Sequence, residues 1–330
     1  KLQEKGPMSL EEFEKLPEEV AFSKKCEPAR ARLFEKHKKL FEDRKYDPDD
    51  KGHKDPETGE RIRFELTLKE GAMESYKPPR PIHLSLQAEE RLCEIVDKLL
   101  EQGILTRTGK ARIVSPAFIV PKRNPDGSVK GWRLVSDLRQ LNALTIPKVG
   151  VIPTVDEVYG RLARAKLIST ADITDAFYAL VCSEEAQKLL GLLTPRGTVS
   201  YRRCPMGSHS SPAFLSELLN RLLADKMHGP GRHCAAYYDD IVIWTETEDI
   251  EQHEAQVSGI FEILEKNNLN LKRSKTTLFK RRARLLGAIV GGGEARLDAE
   301  KVGSMLKMQR PKNVKELRSF LGTTGAQRQF

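Results

Sequence analysis

Ala235-Ala236-Tyr237-Tyr238-Asp239-Asp240-Ile241-Val242-Ile243-Trp244 places two adjacent carboxylates between runs of small apolar, aromatic and β-branched residues. The flanks have strand composition, so the spacing predicts a hairpin with buried arms and with Asp239 and Asp240 as its two-residue turn. Asp-Asp suits such a turn poorly, because both central residues need positive φ. Two like charges a few Å apart also repel by roughly 1 to 4 kcal/mol at effective dielectrics of 80 to 20. An acidic surface turn tolerates this in water. A pair of hard oxygen ligands instead converts it into affinity for Mg²⁺ or Mn²⁺.

Working outward, 330 residues suffice for about two domains and a substantial core. At 39% hydrophobic and 31% charged the chain has globular composition, and no apolar run approaches the ~20 residues of a membrane span. It begins at Lys1 with neither an initiator Met nor a signal-peptide core, as an excised piece of a longer protein would. Cys26, Cys93, Cys182, Cys204 and Cys234 form no CxxC pair and are odd in number. They read as reduced thiols of an intracellular protein (cytoplasm, virus-like particle or nucleus), not a secreted one, without a zinc site or disulfide frame. The net charge of +9 is uneven: residues 265–330 carry +11 and the remainder −2. A basic C-terminal face on a near-neutral body fits a polyanion partner, although solvated lysines alone produce the same balance.

Residues 1–64 form a densely charged extension, with a possible helix over Ala29 to Arg44 and turn chemistry from Asp47 to Gly59, and no assignable function. Arg61 to Leu68 alternates like a strand, and Leu92, Ile95, Val96, Leu99 and Leu100 stripe a helix ended by Gly103. Strands are expected at Val114 to Val120 and Trp132 to Val135, around a basic tip from Lys122 to Gly127 that is either a phosphate contact or a solvated turn. A helix over Val155 to Leu162 leads into a strand that runs to Asp172. Another begins with a Ser cap and Pro at Ser211-Pro212, and a third spans Asp249 to Lys266 with Val257, Ile260, Phe261 and Leu264 inward. A strand pair, Leu269 to Phe279 and Ala283 to Val290, follows before Gly291-Gly292-Gly293. The order strand, helix, hairpin, helix, strand is βαββαβ-like, which brings Asp172 beside Asp239 and Asp240. Three converging acids are the makings of a two-metal site for phosphoryl chemistry.

At this point the chain resembles a known family. Tyr237-Tyr238-Asp239-Asp240 is similar to the Y-x-D-D box of reverse transcriptases, and Asp172-Ile173-Thr174-Asp175-Ala176-Phe177 to the box with their first metal-binding Asp. Ser115-Pro116-Ala117-Phe118, Trp132-Arg133-Leu134-Val135-Ser136-Asp137, Pro205-Met206-Gly207 and Leu285-Leu286-Gly287 follow in the family's order. Lys312-Asn313-Val314-Lys315-Glu316-Leu317 resembles the thumb approach of gypsy-type long-terminal-repeat retrotransposons and gammaretroviruses. The resemblance covers roughly residues 65–330. It implies an α+β right-hand polymerase: fingers with the start of the palm over 65–165, a ferredoxin-like palm with the primer grip over 166–290 (with a fingers insert at about 183–204), and connection with partial thumb over 291–330.

The resemblance also implies roles. Asp172, Asp239, Asp240 and the carbonyl of Ile173 would hold two Mg²⁺ ions, with Mn²⁺ able to substitute, and Lys275 would protonate the leaving pyrophosphate. Lys122, Arg133, Met206 and the amides of Asp175 and Ala176 would meet the incoming dNTP, and Phe177 would be the gate against a ribose 2′-hydroxyl; a plain core aromatic is the other reading of Phe177. Tyr237, Tyr238, Pro205, Gly207, Leu286 and Gly287 would contact primer or template. Tyr238, Met206, Ser210 and Pro121 depart from the usual residues at their positions, and none removes a metal ligand. The partners implied are an RNA or DNA template with primer and dNTPs, no membrane, and ribonuclease H and integrase regions in a parent polyprotein. The rival is a domesticated or decayed polymerase fold that binds nucleic acid or protein without catalysis. An RNA-dependent RNA polymerase is disfavoured by Phe177.

Overall fold

A computed structural model describes residues 8–325 apart from Pro48, Thr108, Pro125, Pro230 and Asp298; Pro125 of the basic hairpin tip and Phe330 lie outside the described residues. At its centre is a four-stranded antiparallel sheet in the order Cys234–Tyr237, Asp240–Thr245, Leu167–Asp172, Thr277–Lys280. With the helices Ser211–Leu222 and Ile250–Lys266 between the strands, this is the expected ferredoxin-like arrangement. Period 2 sorts the side chains of the sheet onto two faces. Ala236, Ile241 and Ile243 join one core with Leu215, Leu218 and Phe261 of those helices. Ala235, Val242, Trp244 and Ile168 join a second core with Val158, Tyr159 and Leu162 of the helix Val155–Leu162. Burial on both faces explains why the strands read as continuous apolar runs.

The region after Ile250–Lys266 differs from the expected strand pair. Arg273–Lys275 is a 3₁₀ turn, and Thr277–Lys280 enters the central sheet beside the Asp172 strand. Ala283–Leu285, Ala288–Gly291 and Glu294–Leu297 then form a separate three-stranded sheet, whose first turn is Leu286-Gly287 with φ of 48° and 87°. At Gly291, φ is 130° and the Arg281 carbonyl occupies the space a Cβ would need. That close approach is why a strand ends on glycine there.

A five-stranded sheet stands to one side: Leu105–Thr106, Gly197–Tyr201, Gly191–Thr194, Val114–Arg123 and Val129–Ser136. The last two form the expected hairpin, longer than its apolar run because the basic residues continue the pairing. Arg61 to Leu68 is broken into two short strands, Arg61–Ile62 and Thr67–Leu68, each with a different partner.

The largest correction concerns the N-terminal segment. The helix runs over Pro17–Lys36, with Pro17 in its first turn, and ends in a 3₁₀ turn, Lys38–Phe41, where Ala29 to Arg44 was expected. Cys26, Ala29, Leu33 and Leu40 are buried in the main core. The helix lies against Ile250–Lys266 and Thr277–Lys280, so the segment is part of the central layer. At the other end Val314–Gly325 has no buried residue among those described.

Candidate active site

The acidic turn is built one residue earlier than its composition implies. Tyr237 pairs with Asp240, so the two-residue turn is Tyr238-Asp239 and Asp240 opens the returning strand. Tyr238 takes the positive φ, 56°, with its ring edge-on to Tyr237 at 4.7 Å between centroids. The shift follows from register: Asp240 opposite Asp172 aligns Ile241 to Thr245 with Ala171 to Leu167 and keeps the apolar alternation of both strands in phase. Asp239 and Asp240 thereby point differently, with Asp239 exposed and Asp240 half-buried.

Backbone bonds lock the three acids together. Ile173 N–H donates to the Asp239 carbonyl at 2.8 Å, and Lys272 N–H to the Asp172 carbonyl at 2.9 Å. Burial first, then the charges of Asp239 and Asp172, push the Asp240 carboxyl up to about 6. A cation already answers this charge: Lys275 Nζ lies 2.5 Å from Asp172 Oδ2, and that hydrogen bond raises the ammonium above the usual lysine value. The neighbouring Arg273 instead stacks over the Phe34 ring.

Among the described residues, no three His, Cys, Asp or Glu side chains converge as they stand into a formed metal cage. The donor set nonetheless fits a hard divalent cation. It offers carboxylate oxygens from two strands and a turn, destabilised by one another and attended by a lysine ammonium.

Just past Asp172 in the chain, Thr174 and Asp175 line a cavity of about 530 Å³ that is also lined by residues of the five-stranded sheet. Lys122 and Arg133 line it from the hairpin, on one face of the ladder because Val120 pairs with Arg133 and Lys122 with Gly131. Asp175, Met206 and Gly207 line it from the other side. Asn142 Nδ2 donates to the Gly207 carbonyl at 2.9 Å, and the buried Pro205 carbonyl accepts from Ser211 Oγ. Ala176 is buried and Phe177 half-buried on the 3₁₀ turn Ala176–Ala179, entered through Asp175 at φ 46°. Neither Ala176 nor Phe177 reaches the cavity wall.

Leu286 and Gly287 sit apart from the cavity, on the turn of the three-stranded sheet. Tyr159 Oη donates towards the Leu285 and Leu286 carbonyls at 3.3 and 3.4 Å, tying that turn to the second core. Tyr159 was legible in the sequence only as lying within the helix expected over Val155 to Leu162. Arg44 and Tyr46, which also line the cavity, carried no sequence signal at all.

Residues 120–290 match the family model described as reverse transcriptase (RNA-dependent DNA polymerase). The chain belongs to the reverse transcriptase family. It is 30% identical over 275 residues to the retrovirus-related Pol polyprotein from transposon 297 of Drosophila melanogaster, covering 82% of this chain and 25% of that protein. The Pol polyprotein from transposon gypsy of the same organism is 28% identical over 71% of this chain and 22% of its own length. This reverse transcriptase chain therefore spans about a quarter of the curated relatives it matches. The foamy viral protease-reverse transcriptase, solved with double-stranded DNA, superposes with a TM-score of 0.71 at 24% identity, over 91% of this chain and 49% of that one. The same viral protein with an RNA/DNA hybrid gives 0.69 at 24%, over 91% and 37%. The likeness establishes an α+β right-hand polymerase fold. Among the described residues no helix is long and apolar enough to cross a membrane.

Proposed function

We propose that this chain carries out template-directed addition of deoxynucleotides to a primer 3′-hydroxyl on RNA or DNA, with fingers over residues 65–165, palm and primer grip over 166–290, and connection with partial thumb over 291–330. One observation carries the reading: Asp172 and Asp240 are register partners beside Asp239, and Thr174 and Asp175, just past Asp172 in the chain, line a cavity that Lys122 and Arg133 also line. An acidic pair in the sheet, followed along the chain by a cavity with two cations in its lining, suits a triphosphate held for in-line displacement. Asp172, Asp239, Asp240 and the Ile173 carbonyl would hold Mg²⁺ or Mn²⁺. When bound, the divalent ions supply activation of the 3′-hydroxyl and charge neutralisation at the pyrophosphate.

The chain's own residues do the remaining work. Arg133 offers a planar fork to phosphate oxygens and Lys122 a point charge, both exposed and free to close on the ligand. The Asp175 and Ala176 amides receive the same phosphates, Met206 packs on the nucleotide, and Phe177 excludes a 2′-hydroxyl. Lys275, already among the acids, stands as proton donor to the leaving group once Asp172 releases it. Tyr237, Tyr238, Pro205 and Gly207 border the primer terminus and template, and Leu286-Gly287 grips the primer backbone. The balance of +11 over residues 265–330 supports a polyanion partner.

Primer extension with Mg²⁺ tests the reading. Extension by the chain and its loss in Asp239→Asn are expected; equal extension by both overturns it. Tight primer-template binding with no incorporation in Mg²⁺ or Mn²⁺ would establish the non-catalytic module instead. Phe177→Val should admit ribonucleotides, and an unchanged preference removes the gate role.

A further inference from the structure

The turn that carries Ala176 and Phe177 is held from beneath by residues of the N-terminal segment. Arg44 Nη1 donates to the Asp175 carbonyl at 3.2 Å, and His53 Nε2 lies 3.0 Å from the Ala179 carbonyl, so that nitrogen carries the hydrogen. Between them Arg203 Nη1 reaches the Tyr178 carbonyl at 3.4 Å. Arg203 is itself tied back to the segment, by an ion pair to Asp50 at 3.0 Å and a bond to the Asp47 carbonyl at 3.1 Å. Both guanidiniums lie near the ring of Tyr46, Arg44 at 5.9 Å and Arg203 at 5.0 Å from its centroid, and that ring meets Tyr178 edge-on. Three carbonyls of one short turn thus take donors from outside it.

This is costly architecture. Arg44 is 8% exposed and Arg203 4%, and Nε and Nη2 of Arg44 have no hydrogen-bond partner. Two desolvated like charges under one turn are a poor means of stabilising a fold. Their geometry, however, has a consequence for the cavity. In a trans peptide the N–H points opposite to the C=O. Among the described residues no peptide bond is cis. Drawing the Asp175 carbonyl down towards Arg44 therefore turns the Ala176 N–H upward, on the side away from the guanidinium, and holds Asp175 in the left-handed conformation, φ 46° and ψ 48°. Phe177 follows in the next peptide.

We infer that Arg44, with His53 and Arg203, is a positioning residue: the N-terminal segment sets the angle of the Asp175–Ala179 turn, and so fixes both the amide offered to the nucleotide phosphates and the ring that faces the sugar. This rests on the polymerase reading above. Arg44 lines the cavity, but its hydrogen bond goes to the Asp175 carbonyl, so it acts through the turn, on nucleotide affinity and on the choice of deoxy- over ribonucleotide.

Single-nucleotide incorporation by the whole chain, with dNTP and rNTP titrated separately, tests it. Arg44→Ala should raise KM for dNTP about tenfold and lower the deoxy-over-ribo preference about tenfold, with kcat within about threefold, as a misplaced contact would. Arg44→Lys, which keeps a donor, should recover most of both, and Arg32→Ala, remote on the same segment, should match the parent. Unchanged KM and preference in a folded Arg44→Ala overturn the inference, as does a fall in kcat alone. Should Arg44→Ala fail to fold, His53→Ala reads the same two quantities from the half-buried end of the turn, and parental values there overturn it equally. An unmutated chain that extends no primer defeats the polymerase reading first, an outcome distinct from a parent that polymerises and an Arg44 variant that selects normally.

Discussion

The central sheet and the N-terminal segment attach to the molecule by opposite means. Along Asp240–Thr245 alternate side chains divide between two cores, so the strand is held by apolar packing on both sides. The segment over residues 10–55 has a few deep anchors, Cys26, Ala29, Leu33 and Leu40, backed by the partly buried rings of Phe22, Phe34, Phe41 and Tyr46, and adds many polar contacts. Arg32 pairs with Glu254, Lys36 with Glu262, His37 with Glu265, and Glu14 and Glu19 with Lys280 and Arg281. The difference teaches that membership of a core is decided by a handful of side chains, while composition is decided by the many that face solvent.

The sharpest way to test the sheet's side of this contrast is to remove a charge at its end. Asp172→Asn should lower primer extension by roughly a thousandfold, about 4 kcal/mol of transition-state stabilisation, without changing the thermal midpoint greatly. A loss below tenfold in a steady-state assay would separate the sheet from the chemistry. On the other side, Leu33→Ala deletes a fully buried side chain and should cost about 3 kcal/mol in urea unfolding, in one transition shared with the sheet. A separate early transition would show that the N-terminal segment folds as a satellite, and would break the comparison as drawn.

A third test titrates the layer where the two regions meet. His253 is buried between Ser169 Oγ at 2.8 Å and Thr245 Oγ1 at 3.2 Å, with Phe279 edge-on, and burial pulls its imidazole down to about 4, with a smaller push from His233. The unfolded chain takes up this proton near pH 6.5, so between there and pH 4 it binds more protons than the folded chain. Stability is therefore complete above pH 6.5 and declines by up to about 3 kcal/mol as pH falls to 4. Urea midpoints at pH 7.5 and 4.5 should show this decline, and His253→Asn should flatten it. The smallest effect belongs to the exposed pairs: Arg32→Ala should leave the midpoint within measurement scatter, because solvent screens such contacts. A clear shift would mean that ion pairs, not the buried anchors, seat the helix.

The two regions also differed in how far they could be read. Val155–Leu162 and Ile250–Lys266 were legible because stripe and cap lie within a few residues of one another: Thr154 with Glu157 makes a capping box, and Asp249 accepts from the first turn. The acids were legible as a group because a βαββαβ order has few ways to fold. The turn itself was misread by one residue. Composition alone cannot weigh the charge of Asp239-Asp240 against the register with Asp172, and register wins because a slip would take Ile241 and Ile243 out of the core they share with Leu215 and Phe261. Thr277–Lys280 was assigned to the wrong partner for a similar reason, since strand pairing is settled by whichever edge is open.

By itself the sequence determined the secondary-structure periods, the family boxes and the order of elements that brings the Asp172 strand beside the hairpin of Asp239 and Asp240, since each depends on neighbours along the chain or on a topology with few alternatives. Only the tertiary structure decided that Asp240 opposes Asp172, that Lys275 bonds Asp172 while Arg273 stacks on Phe34, and that Arg44, lost in a charged tract, reaches the Asp175 carbonyl 131 residues away. Those contacts join residues with no local pattern in common, so their energy exists only once the chain has closed the loop between them.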